Sequence, residues 1–128
     1  MIASLHNPTT VFPPYRGYAH AVEVHAAART LYISGVNGFE VDGKTMPESF
    51  EEQAELIWQH LRAILASAQM NISNLVSLRT YLADPSYDEA NVLVRIKHLG
   101  SHCVASTVVC SQLLDPRWKL EVEAVAAA

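Results

Sequence analysis

The spacing of apolar residues changes several times along this chain, and each change marks an element. Ala21–His25 and Thr30–Ser34 are β-branched and aromatic, which predicts two strands, and the intervening Ala26–Arg29 is short enough for a hairpin connection. Gly35 and Gly38 then allow turns, with room for a further short strand near Val41. Ser49-Phe50-Glu51-Glu52 reads as a capping box, so a helix begins at about Phe50. Behind it Phe50, Ala54, Ile57, Leu61, Ile64, Leu65 and Ala68 recur at helical spacing, with Glu51, Glu55, Gln59 and Arg62 on the other side. Val76–Leu82 returns to period two, and Asp84-Pro85 ends that strand. Ser86-Tyr87-Asp88-Glu89 reads as a second capping box. The helix it opens sets Val92, Leu93, Ile96 and Leu99 against a polar stripe of Asp88, Asn91, Arg95 and His98, and Gly100 closes it in αL geometry. Ser106–Gln112 and Leu120–Ala126 read as the last strands, joined by a loop around Asp115-Pro116.

The order in outline is ββαβαββ, an α+β fold: one mixed sheet with two helices on one face. The late strands are apolar on both sides, Val104, Val108 and Cys110 against Ala105, Val109 and Leu113. Two helices cover only one face of a sheet, so part of the other is expected to meet a second subunit. Asn7-Pro8 and Pro13-Pro14 interrupt any regular element at the start, and order is expected from about Tyr15. With 128 residues, half of them apolar, a single domain over 1–128 is expected.

Charge narrows the partners. Nine Lys and Arg stand against 13 Asp and Glu, a formal net charge of −4, and no stretch gathers the basic residues. Nucleic acid is therefore disfavoured as a partner. No apolar run approaches the ~20 residues that span a bilayer, and Met1–Pro8 lacks the charged and apolar regions of an export signal, so a soluble cytoplasmic protein without a membrane partner is expected. Cys103 and Cys110 are an odd number of positions apart and could not bridge along one strand, which fits reduced thiols; Cys110 falls mid-strand, where a buried, inert side chain is expected. Of six histidines only His98 and His102 have helical ligand spacing, and Gly100 separates them, so no metal site and no cofactor is expected. Phosphate-binding glycine loops and a nucleophile elbow are absent. Glu121 and Glu123 share a strand face about 7 Å apart, in an otherwise apolar segment. A solvated outer face is the plain reading of that pair.

Taken together, Gly17-Tyr18, Leu31-Tyr32-Ile33-Ser34-Gly35, Phe50-Glu51-Glu52-Gln53-Ala54, Leu75–Asp84, Ala90-Asn91, Ser106-Thr107-Val108 and Leu120-Glu121-Val122-Glu123-Ala124 resemble the reactive intermediate deaminase (Rid, or YjgF) family. The resemblance runs from about Tyr18 to Ala126. It implies a chorismate-mutase-like fold assembled as a homotrimer, with small-metabolite clefts between subunits. It further implies hydrolysis of enamines and imines to a keto acid and ammonia. By position, Tyr18 and Glu121 would orient substrate and water, and backbone near Ser34, Gly35, Ser106 and Thr107 would line the cleft. The family's arginine for the substrate carboxylate falls where this chain has Ala105, within Cys103-Val104-Ala105-Ser106. Alanine offers neither charge nor donor, so an ordinary short 2-imino acid is not the expected substrate. Arg16 and Arg117 are the candidate replacement cations. A non-catalytic small-molecule-binding or interaction trimer is the alternative, and an endoribonuclease or translation inhibitor is disfavoured by the charge balance.

Overall fold

A computed structural model of the chain describes residues 2–128. In order it contains β1 (Ala3–His6), β2 (Ala21–Val24), β3 (Thr30–Val36), α1 (Phe50–Ser67), β4 (Leu75–Leu82), α2 (Asp88–Leu99), β5 (Ala105–Cys110) and β6 (Leu120–Ala127), with short 3₁₀ turns before β4 and α2. The main sheet runs β3-β6-β4-β5; β4 and β5 are parallel and the other pairs antiparallel. The architecture is thus α+β with two helices packed on a mixed sheet.

α1 follows from its spacing. Phe50, Ala54, Ile57, Leu61 and Leu65 are buried, and they meet Ile33, Leu78, Leu82, Leu120, Val122 and Ala124 of the sheet in one continuous core. Ser49 Oγ accepts the Glu52 N–H at 3.1 Å, which supplies half of the capping box. Gln53 and Trp58 are buried as well. Gln53 Nε2 donates to the carbonyls of Pro47 and Arg117, and its Oε1 accepts the Lys119 N–H. This one side chain ties the loop entering α1 to the loop entering β6.

Several expectations change. The opening segment is ordered well before Tyr15, because Ala3–His6 pairs with Ala21–Val24 as a separate two-stranded sheet. β2 and β3 consequently form no hairpin. The connection turns through Ala26 at φ 45°, Arg29 exchanges backbone hydrogen bonds with Ala128, and β3 is delivered to β6 instead. No strand forms at Val41, where Asp42 Oδ1 accepts the Lys44 and Thr45 N–H groups in a tight turn.

The second capping box is not used either. Asp84 Oδ1 accepts the Ser86 N–H and caps a 3₁₀ turn with Pro85 at its start, so α2 begins at Asp88 without a side-chain cap. Gly100 has the expected positive φ of 60°, but its ψ of −125° is outside the αL region. Most consequential is the orientation of α2. Leu93 and Ile96 are exposed, while Asn91, Arg95 and Leu99 point inward. The supposed solvent stripe faces the protein.

Away from its Ala127 end, which is buried, the sheet face opposite the helices is left uncovered by the described residues. Tyr32 is 78% exposed there, beside Arg79, Tyr81, Glu121, Glu123 and Val125, which the strand registers place as neighbours. Gly38 lies at a tight crossing on the other side: a Cβ there would come within 2.7 Å of Gln53 Cβ and 2.8 Å of its Cα. Because the obstruction includes helix backbone, Gly38→Ala is expected to destabilise the fold by about 1–3 kcal/mol, read as an earlier denaturant midpoint with an unchanged slope.

Candidate functional site

Two cavities collect the residues singled out by the sequence. The first, of about 400 Å³, sits at the β5 edge of the sheet and is lined among others by Tyr15, Arg16, Tyr18, Asp88, Arg95 and Ser106. The chain ahead of β2 is laid along that edge by a parallel bridge between Ala19 and Ala105 and by the Ala19 N–H donating to Val104 O at 2.9 Å. Tyr18 is therefore fixed beside β5, where its ring meets those of Tyr15 and His20 edge-on. The apolar part of the wall comes from Leu82, Val92, Val108 and Val109.

The second cavity, of about 310 Å³, opens on the uncovered sheet face and includes Gly35, Tyr81, Leu113, Glu121 and Glu123. β3 is irregular against β6 between Ile33 and Val36, so Ser34 and Gly35 sit in a bulge that departs from the ladder. The bulge meets Glu121. A Cβ on residue 35 would lie 2.2 Å from Glu121 Oε2, so only glycine lets the carboxylate rest against this backbone. Glu123 is engaged elsewhere, accepting from Arg79 Nη1 and from Tyr81 Oη, each at 3.3 Å. Glu121 makes no hydrogen bond or ion pair among the described residues. The paired glutamates thus differ: one is anchored, the other available.

Within the chain, Tyr18 and Glu121 line different cavities. Ser106 accompanies Tyr18, and Gly35 accompanies Glu121; Ser34, Ala105 and Thr107 are in neither wall. Arg117 is also in neither. It pairs with Asp115 at 2.9 Å, donates to Lys44 O and covers the Phe39 ring, an arrangement that fastens its loop. Arg16 does reach the first cavity, but Asp88, at 2.5 Å, and Glu89 both hold it. These two acids raise its pKa further, Asp88 first through its hydrogen bond.

Arg95 escaped the sequence reading. It is only 4% exposed; Nη2 donates to Arg16 O at 2.6 Å and Nη1 to Ser106 Oγ at 3.4 Å. Burial lowers its pKa; the charge of Asp88 opposes this in part, and that of Arg16 adds to it slightly. The available signal was the i, i+4, i+8 series Asn91, Arg95 and Leu99, a helical stripe whose polarity disguised it as a solvent face. Cys110 also departs from expectation, being exposed at the end of β5 in the first cavity's wall. The histidines have local roles: His98 stacks on Trp58 and contacts Glu55, and His102 bonds Leu75 O.

Comparison with known proteins agrees with this architecture. Residues 9–128 match the family model described as endoribonuclease L-PSP. The mitochondrial protein MMF1 of Saccharomyces cerevisiae is 30% identical over 115 residues, covering 89% of this chain and 77% of MMF1. The RutC family protein YjgH of Escherichia coli is 31% identical over 60% of this chain and 61% of its own length. Among solved structures, the Rid family protein YyfB of Yersinia pestis, described as of unknown function, superposes with a TM-score of 0.89 at 27% identity over the whole of both chains. No helix among the described residues is long and apolar enough to cross a membrane. A match spanning nearly the full length, in both sequence and fold, places this chain in the Rid (YjgF) family.

Proposed function

We propose that the chain forms a homotrimer in the cytoplasm, with Cys103 and Cys110 reduced, and that its inter-subunit clefts bind a small metabolite and hydrolyse an imine or enamine. The observation that carries this reading is the Glu121 carboxylate, unengaged by other side chains and held against the Gly35 backbone in a cavity on the uncovered sheet face. Stacking a second copy on that face would cover Tyr32 and bring a neighbour's edge cavity, with Tyr18, toward Glu121. Such a cleft unites the two groups that one protomer keeps apart.

The chemistry asks little of a protein. An iminium carbon is already electrophilic; a water held by Glu121 adds to it, giving up its proton to the carboxylate. Glu121 returns its proton to the carbinolamine nitrogen; the C–N bond then breaks as the C=O bond forms, ammonia departs and the hydroxyl proton passes to solvent. Tyr18 hydrogen-bonds substrate or water. No cofactor takes part. Since Ala105 offers no grip on a carboxylate, the substrate is one other than a short 2-imino acid. Imines generated by an amino acid oxidase test this: their decay is expected to accelerate on adding the protein for at least one bulky member of a panel. Unchanged decay across the panel would discard hydrolysis.

Ala105 also favours a second reading, a trimer that binds a small molecule without turning it over. Glu121→Ala separates the two, since a binder keeps its ligand and an enzyme loses turnover. RNA cleavage is set aside on the net charge of −4; salt-sensitive cleavage by highly purified protein would restore it.

A further inference from the structure

We infer that Arg95, with Ser106 beside it, is the anchor for the carboxylate of an apolar-bodied organic acid in the β5-edge cavity, supplying from α2 the cation that position 105 lacks. The inference deepens the proposed function and rests on its reading of this cavity as part of the ligand cleft.

A guanidinium carries five donors and stays charged at any physiological pH. Arg95 spends one on Arg16 O and a long one on Ser106 Oγ, while its Nε has no acceptor among the described residues. No carboxylate lies within ion-pair distance of it among the described residues: Asp88, close enough to act through space, is hydrogen-bonded to Arg16, which also holds Glu89. The two arginines of this wall therefore differ. Arg16 is neutralised on the spot, whereas Arg95 is a buried cation with unused donors. Leaving such a charge uncompensated is costly, and an arriving anion removes the cost.

The surroundings define the rest of the ligand. Leu82, Val92, Val108 and Val109 with the rings of Tyr15 and Tyr18 make the apolar part of the wall of a cavity of about 400 Å³ that is open to solvent, far more than a three-carbon acid fills. A carboxylate carrying a branched or aromatic body matches both the donors and the walls. Lysine in place of arginine would present a point charge without the paired planar donors.

Titration of the purified protein with 3-phenylpropanoate and with the neutral 3-phenylpropanamide tests the anchor without any imine chemistry. The acid is expected to bind at least about tenfold more tightly than the amide. Arg95→Met is expected to erase that preference and Arg95→Lys to reduce it, with amide affinity nearly unchanged. Should Arg95→Met fail to fold, Ser106→Ala carries the test, lowering the acid-to-amide ratio about threefold. Equal binding of acid and amide, no binding of the acid at millimolar concentration, a preference that survives Arg95→Met, or an acid-to-amide ratio left unchanged by Ser106→Ala would overturn the assignment. Acid preference that depends on Arg95, in a protein that leaves all imines untouched, would keep the anchor and refute hydrolysis alone.

Discussion

Glu121→Gln is expected to slow protein-catalysed imine decay by about 10²- to 10⁴-fold, the usual worth of a positioned proton acceptor, while leaving the thermal midpoint almost unchanged. The substitution keeps shape and removes the charge. Because Glu121 bonds to no other group among the described residues, the fold does not depend on its ionisation. Glu123→Gln is the internal comparison. It disturbs the exposed Arg79 pair and the Tyr81 hydrogen bond, interactions worth under about 1 kcal/mol at a surface, and should leave the rate within a few-fold of the parent. Equal losses from both variants would mean that the charge of the strand, not one positioned carboxylate, matters. Steady-state rates on the best imine of the panel, with melting curves for each variant, make the comparison.

Gln53→Leu is expected to cost about 3–5 kcal/mol, since it strands hydrogen-bonding groups at a buried position. The side chain is 1% exposed, and its loss frees the carbonyls of Pro47 and Arg117 and the N–H of Lys119. Lys119 immediately precedes β6, so the damage reaches the strand that carries Glu121. Denaturant unfolding should show the lower stability, and hydrogen exchange should show early opening at Trp118–Leu120. Leucine matches glutamine in volume, so a loss near 1 kcal/mol would mean that water replaces all three bonds. A loss of the predicted size, with faster exchange confined to the β6 entrance, would identify Gln53 as the clamp.

Elements with a dense apolar period were legible in the sequence. α1, β4 and β6 are each buried along one face, and their side-chain repeats announce it. β1 was not, because its four residues bury only partly and its partner β2 is more exposed still. A strand held by backbone pairing leaves little trace in side-chain pattern. The start of α2 was misplaced because Ser86 and Asp84 compete for the same role, and Pro85 favours the earlier turn capped by Asp84.

The candidate site divides the same way. Tyr18 and Glu121 are candidates by their neighbours in sequence, and Gly35 is the residue that lets Glu121 approach β3. Arg95 could not be found by pattern, since a polar helical stripe reads as solvent-facing unless something polar lies beneath it. Here the segment Tyr15–Tyr18 and Ser106 lie beneath it, a tertiary fact that no local window contains.

Mixing two inactive variants tests the shared cleft most directly. Tyr18→Phe and Glu121→Gln proteins, unfolded together and refolded at equal concentrations, would assemble at random. If each cleft takes its phenol from one subunit and its carboxylate from the next, every mixed trimer regains one intact cleft, and imine-decay activity recovers to about a quarter of the parent's. Activity no higher than that of either variant alone would contradict a cleft built by two protomers.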